Sequence, residues 1–359
     1  MILPKIKSYN ALTLPDLIGK LFGPKSKKLA ALFNILNLVP IAYTISIGVL
    51  IQMLFGYELN TGIVIGVCFV LAYSFFGGMR SVVYSDIFQF FIMVSSVVLV
   101  FIISIYNYGV DPLTNLPKSY FNPLGTYSLK ETFVWGLIAL STLVDPNFYQ
   151  RCFAAKDFKV AKKGIIYSTF VWMIFDLCLT FGAMYAKAII PDATPNEGYF
   201  IYALQLLPHG LKGFFIAGIT ATVLSTLDSY IFLAGSTLSI DLLPNKLKNK
   251  TRQHRLGVLA VAFISIFMAM IFEGDIKDVW KALGSISSSA LLAPVLFGYF
   301  YKKHSCDFTF ILSSVLGAIT TIYWRLSGLK QIYVLDEIYV GVTASLVGIL
   351  LSVALKRKA

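Results

Sequence analysis

Charged side chains are scarce in this sequence. Asp, Glu, Lys and Arg make up 13% of its 359 residues, where a soluble globular chain carries about 25%. Hydrophobic residues make up 57%, and the mean hydropathy is +0.76. So little charge excludes an ordinary soluble fold and implies a polytopic membrane protein. Cysteine is sparse too. Cys68, Cys152, Cys178 and Cys306 lie in or at the ends of apolar segments, and no CxxC occurs, which argues against a disulfide framework or a zinc site. The only histidines, His209, His254 and His304, have no ligand spacing. GxSxG, P-loop and HExxH patterns are all missing, so no enzyme and no cofactor are expected. Strand-like alternation is absent as well, which argues against a barrel. The opening MILPKIKSYN has no charged head followed by an apolar core and is not a signal peptide. No linker or low-complexity stretch divides the chain, so residues 1–359 read as a single transmembrane domain.

What is there is a series of long apolar runs. A membrane helix needs about 20 such residues to cross roughly 30 Å of hydrocarbon. Ten segments qualify, at about 29–57, 59–79, 87–107, 132–150, 164–187, 213–240, 256–272, 282–301, 308–324 and 338–355. The net charge of +12 follows the alternation of these segments. With the N-terminus inside, the inner stretches hold 22 of the 30 Lys and Arg, as the positive-inside rule requires. Both termini are therefore expected on the cytoplasmic side of the plasma membrane. The basic residues set topology and do not form a nucleic-acid patch. A short amphipathic helix on the outer surface is expected within 191–212, from the helical spacing of Tyr199, Phe200, Ala203, Leu204 and Leu207. Gly62 and Gly66 form a GxxxG of the kind found in packed membrane helices.

The polar residues inside these runs are the informative ones, because a carboxylate at the centre of a membrane helix costs about 2.5–3.5 kcal/mol on insertion scales. In LSTLDSYIFLAGSTLSID, Ser225, Asp228 and Ser229 stand at i, i+3 and i+4 and share one face. Thr222 is one turn earlier and Thr226 lies beside them. One carboxylate among neutral oxygens suits a monovalent hard cation; the plainer reading is a hydroxyl-rich helix packed by side-chain hydrogen bonds. Asp86 opens the third segment, where it reads as a helix N-cap or, with a second helix beside it, as part of a site. Asp176 is another mid-membrane carboxylate, open between a proton or cation relay and a partner for a basic residue such as Arg325. The fourth segment, WGLIALSTLVDPNFYQR, has only thirteen uncharged residues between Glu131 and Asp145, followed by Pro146. Short broken helices of this kind line midplane binding sites; alternatively the helix simply ends early at its proline.

Four stretches together resemble the sodium:solute symporter family. They are TLPDLIGKLFG at 13–23, like TLPEYLxxRFG; FFGGMRSVVYSDIFQF at 75–90, like GGxxAVxxTDxxQ, with Ser85 for the usual Thr; DPNFYQRCFAAKDFKVAKKG at 145–164, like DQxxxQRxLAAKxxxxAxxG, with Pro146 for the common Gln; and GLKGFFIAGITATVLSTLDSYIFLAGSTLSIDLL at 210–243, like GLxGLxxAGxxAAxMSTLDSxxNxxSTxxxxDIY. They occur in family order across about 13–243.

The resemblance implies an all-α polytopic membrane protein with ten transmembrane helices in a partial five-plus-five inverted-repeat, leucine-transporter-type fold. It implies sodium-coupled symport of a small organic solute, with Na+ as the coupling ion. Carried onto this sequence, Ser225 and Thr226 supply hydroxyls to the main sodium site and Thr222 its backbone carbonyl. Members with a second sodium use the positions of Asp228, Ser229 and Asp86. The family has three more helices before its TLPD loop, while this chain starts almost at that loop, so the expectation is core helices three to ten plus two more, without tight coupled transport by this chain alone. A non-transporting sensor or a defunct fragment on the same scaffold is the alternative. The solute is not identified; the sugar-carrying branch places Asn and Tyr where this chain has Ile138 and Ser141, which weakens a sugar reading.

Overall fold

A computed structural model describes residues 9–356 apart from 10, 12, 126, 195–196, 244–248 and 273–275, and the side chains at 76–81 and 240 also lie outside the description. Every regular element among the described residues is a helix. The Thr13 hydroxyl accepts from Asp16 N and caps α1 (Leu14–Phe22), with Pro15 in the first turn where its missing N–H costs nothing. Gly23, at φ 137°, turns the chain into α2 (Pro24–Leu38); a side chain there would strike the Asp307 carboxylate. Pro40 then breaks the run, because the residue before a proline is pushed out of the helical region, and Val39 sits at φ −62°, ψ 114°. The span resumes as α3 (Ile41–Phe55).

The next helix, α4 (Leu59–Tyr108), is continuous over 50 residues. Its halves Leu59–Phe75 and Val82–Tyr108 are separate apolar stretches, matching the two segments expected at 59–79 and 87–107. The sequence between them holds no proline, the residue that obliges a helix to stop. The fourth expected segment is broken, as one of its two readings held: α5 (Leu129–Ala139) passes into a 3-10 turn at Leu140–Val144, and α6 (Pro146–Ala154) restarts after Asp145.

The chain continues with α7 (Phe158–Ile189), the short α8 (Gly198–Leu206) and α9 (His209–Ser236), which ends in a π turn at Thr237–Leu242. After α10 (Lys250–Ile271), α11 (Ile276–Ser287) passes through a second π turn, Ser288–Leu292, into α12 (Ala293–Phe300). Last come α13 (Asp307–Leu326) and α14 (Glu337–Lys356). Eight helices among the described residues are long and apolar enough to cross a membrane; with Leu59–Phe75 and the broken 129–154 stretch they account for the ten expected segments.

The chain divides into two compact units, one formed by 1–76, 130–161 and 229–359, the other by 77–129 and 162–228. In the first, Leu17, Ile18 and Phe22 of α1 share a core with Val295, Tyr299 and Phe310. Membrane helices gain little from hydrophobicity against lipid and associate through close backbone approach at small residues. Accordingly, a Cβ on Gly62 would lie 2.6 Å from the Gly48 carbonyl oxygen, and one on Gly348 would lie 2.8 Å from the Ser313 Cα. In the second unit, Val100, Tyr185, Tyr202 and Phe215 form the core, and the Tyr202 hydroxyl donates to Ser104 Oγ at 2.8 Å. The helix expected within 191–212 is present as α8: Tyr202 and Ala203 are buried, Gln205 is exposed, and its apolar face is packed on α4 and α9.

Candidate functional site

On α9 two hydroxyls share one carbonyl. The Thr222 carbonyl accepts from both Ser225 Oγ, at 3.3 Å, and Thr226 Oγ1, at 3.2 Å. Thr222 Oγ1 is turned back to the Gly218 carbonyl at 2.9 Å. Hydroxyls three and four residues after a carbonyl reach it by this route within a helix, so the sequence alone fixes the cluster. Asp228 is fully buried and Ser229 nearly so. Asp86 is half-buried inside α4. The capping alternative for Asp86 is not met, because it stands within a continuous helix, where no helix N-terminus needs a cap.

The packing of α4 against α9 sets the level of Asp86. Gly218 lies against Ser96 and the Ile92 carbonyl, while Leu211, Phe215 and Ile219 share a cluster with Leu99, Val100 and Ile103. Residue numbers rise on one helix as they fall on the other, so the pair is antiparallel. Eight residues beyond the Gly218 crossing, about 12 Å along each axis, Asp86 stands at the level of Thr226. Asp176 is exposed on α7. The basic partner suggested for it is otherwise engaged: Arg325 is paired with Asp278 and Glu337, at 2.5 and 2.8 Å.

The first unit holds a cavity of ≈ 200 Å³ beside the broken helix. Two bent segments and one helix make it: the Val39–Pro40 break, the 3-10 turn after α5, and α11. Tyr43, Tyr230 and Trp280 supply aromatic walls, with Tyr43 at 5.5 Å from Tyr230 and 6.3 Å from Trp280, ring centre to ring centre. Ile138 and Gly284 close one side; a Cβ on Gly284 would meet Ile138 at 3.1 Å. Asp145 lines the cavity. Its Oδ1 accepts from the backbone N–H groups of Asn147, at 2.8 Å, and Phe148, at 3.1 Å, capping α6. Its Oδ2 accepts only distantly from the Tyr230 hydroxyl, at 3.5 Å.

Sequence reasoning identified the broken helix but not this cavity. Tyr43, Tyr230 and Trp280 come from three distant segments, and only the break at Pro146 signalled that something opens there.

The sodium:solute symporter family model matches residues 1–311. Among similar proteins, the osmoregulated proline transporter OpuE of Bacillus subtilis is 25% identical across 100% of this chain and 78% of its own length. The high-affinity proline transporter PutP of Bacillus subtilis is 26% identical across 97% of this chain and 78% of its length. The sodium/proline symporter of Staphylococcus aureus is 27% identical across 97% and 74%. A solved structure of a Na+-coupled sialic acid symporter, substrate-bound and outward-open, superposes with a TM-score of 0.78 at 15% identity, covering 98% of this chain and 79% of that one. At that identity the likeness is one of fold, and it bears out the inverted-repeat class expected from the sequence.

Proposed function

The chain belongs to the sodium:solute symporter family, and from that premise we propose that its solute is a small amino acid of the proline kind. Sodium-coupled symport of a small solute is the activity of the family and of the similar proteins, which are transporters and not enzymes. The protein is accordingly a multi-pass membrane protein. Three proline transporters among its relatives support the choice of solute.

The main sodium ion in this reading is held by the Thr222 carbonyl with the hydroxyls of Ser225 and Thr226. The observation that carries it is that both hydroxyls reach the one Thr222 carbonyl, each within 3.3 Å, on one turn of α9. Hard monovalent cations take such neutral oxygen sets. A second sodium uses Asp228, Ser229 and Asp86, a reading supported by Asp86 standing at the same level along α4 as Thr226 along α9. The whole chain acts as one transporter domain, and the basic stretches at 151–163 and 246–255 lie on the cytoplasmic side of the plasma membrane.

The test is uptake of labelled L-proline into proteoliposomes under an inward sodium gradient. Sodium-dependent proline uptake that Ser225→Ala weakens, without the steep accumulation of tight coupling, is the expected result for this chain alone. Uptake unchanged when sodium is replaced by potassium would overturn the ion assignment.

A further inference from the structure

Among the residues that line the cavity beside the broken helix, Asp145 is the single ionisable group apart from the tyrosines; the Arg151 guanidinium, further along α6 and outside the lining, lies near enough to act on its charge. Every other polar group there is neutral, as in Asn37, Ser141 and Thr142. The N-terminus of α6, which by itself would attract an anion, is already occupied by Asp145 Oδ1. A solute carboxylate brought to this end would meet a carboxylate. Within the cavity itself, the charge that a solute meets at this position is negative, with Arg151 behind it.

The other oxygen decides what kind of cation. Oδ2 has one weak contact, the Tyr230 hydroxyl at 3.5 Å, at the long limit of a hydrogen bond. A carboxylate oxygen accepts two such bonds, and the strongest come from charged donors. Around it stand Tyr43, Tyr230 and Trp280, whose ring faces attract a cation. A bare ion would not fill ≈ 200 Å³, whereas an organic ammonium on an apolar body would.

We propose that Asp145 Oδ2 receives the protonated amine of the transported solute, so that the carrier selects ammonium-bearing solutes. This rests on the reading of the protein as a solute symporter and adds the group by which the solute is chosen. The neutral groups of the lining, Asn37, Ser141 and Thr142, are left for the carboxylate of an amino acid.

Three probes of one ring size separate the possibilities: L-proline, with ammonium and carboxylate; pyrrolidine, with the ammonium alone; and cyclopentanecarboxylate, with the carboxylate alone. The readout is thermal stabilisation of the purified full chain in saturating NaCl. The expected result is stabilisation by pyrrolidine and not by cyclopentanecarboxylate. Asp145→Asn, which keeps the α6 cap because Asn caps as well as Asp, is expected to melt as the parent does and to bind the amine about 10- to 100-fold more weakly, the range for a lost charge-assisted hydrogen bond. Stabilisation by cyclopentanecarboxylate, by none of the three, or by pyrrolidine equally in Asp145→Asn overturns the proposal. Asp145-dependent stabilisation by pyrrolidine without any by L-proline supports the amine assignment and removes proline as the solute, so the two readings fail separately.

Discussion

The Thr13 hydroxyl donates to Asp241 Oδ1 at 3.2 Å, joining residues 228 apart in sequence. The same hydroxyl accepts from Asp16 N and so also caps α1. Lys27 completes the cluster, with its ammonium 3.6 Å from Asp241 and 3.1 Å from Asp16. The TLPD and STLSID stretches are thus two sides of one polar clasp. The π turn at Thr237–Leu242 carries Asp241, and Gln253 holds that turn by donating to the Ser239 carbonyl at 2.8 Å.

This clasp makes stability depend on pH. Burial pushes the Asp241 carboxyl above its ordinary value of 3.8, a rise that Lys27 and Thr13 only partly oppose. A carboxyl that is harder to ionise when folded favours the folded state most when protonated. Its contribution is present below 3.8 and is lost as pH climbs through the higher folded value. The expected outcome is a melting temperature that declines across that window in the parent and less so in Asp241→Asn. Equal slopes in the two proteins would show that Asp241 is not the group responsible.

A second ionic cluster ties α11 to α13 and α14. Glu337 is fully buried and meets Arg325 at 2.8 Å and Lys330 at 3.4 Å. Asp336 lies 2.7 Å from Lys281 and 3.0 Å from Lys330; against the cost of its burial, those two ammonium groups hold its carboxyl below the ordinary range. Removing one partner of a buried pair strands the other charge, at about 3–5 kcal/mol. Arg325→Leu should approach the lower end of that range, because Lys330 remains beside Glu337. Asp278, on the other side of Arg325, is 45% exposed at its side chain, and Asp278→Ala should cost about 1 kcal/mol or less. Denaturant titration of the two variants checks the contrast.

The GxxxG at Gly62 and Gly66 carries packing and no chemistry. Gly62 abuts the Gly48 backbone, and a Cβ on Gly66 would lie 2.6 Å from Ile47 Cγ1. Gly62→Ala should destabilise by about 1–3 kcal/mol, the usual cost of overpacking. Gly136→Ala and Gly164→Ala, which meet nothing within 4 Å, should be neutral or slightly stabilising in their helices. Thermal melts of the three proteins rank them.

The sequence made the fold legible where the signal is local. Apolar runs gave the segments, Pro146 gave the broken helix, and the i, i+3, i+4 spacing after Thr222 gave the oxygen cluster, since a helix fixes which neighbours meet. It was silent where contact depends on distant segments. Nothing in TLPD foretells Asp241, and nothing around Tyr43 foretells Trp280, because tertiary contacts leave no periodicity. The continuity of α4 through 76–81 and the packing of α8 on α4 and α9 are of the same kind: a glycine pair tolerates helix or turn, and an amphipathic face does not say what covers it.

The two sodium positions proposed on α9 separate by the shape of the sodium dependence. Ser225→Ala removes a neutral oxygen from the first position and should raise the sodium concentration for half-maximal proline uptake by about tenfold, leaving the Hill coefficient as in the parent. Asp86→Asn and Asp228→Asn remove the charge from the second position, and each should lower the Hill coefficient toward one. The argument is electrostatic: a cation in a water-poor site leans on a carboxylate far more than on a hydroxyl, so loss of charge empties the second position, while loss of one hydroxyl only weakens the first. A parent Hill coefficient of one, unchanged in both Asp variants, would leave a single sodium held by Thr222, Ser225 and Thr226.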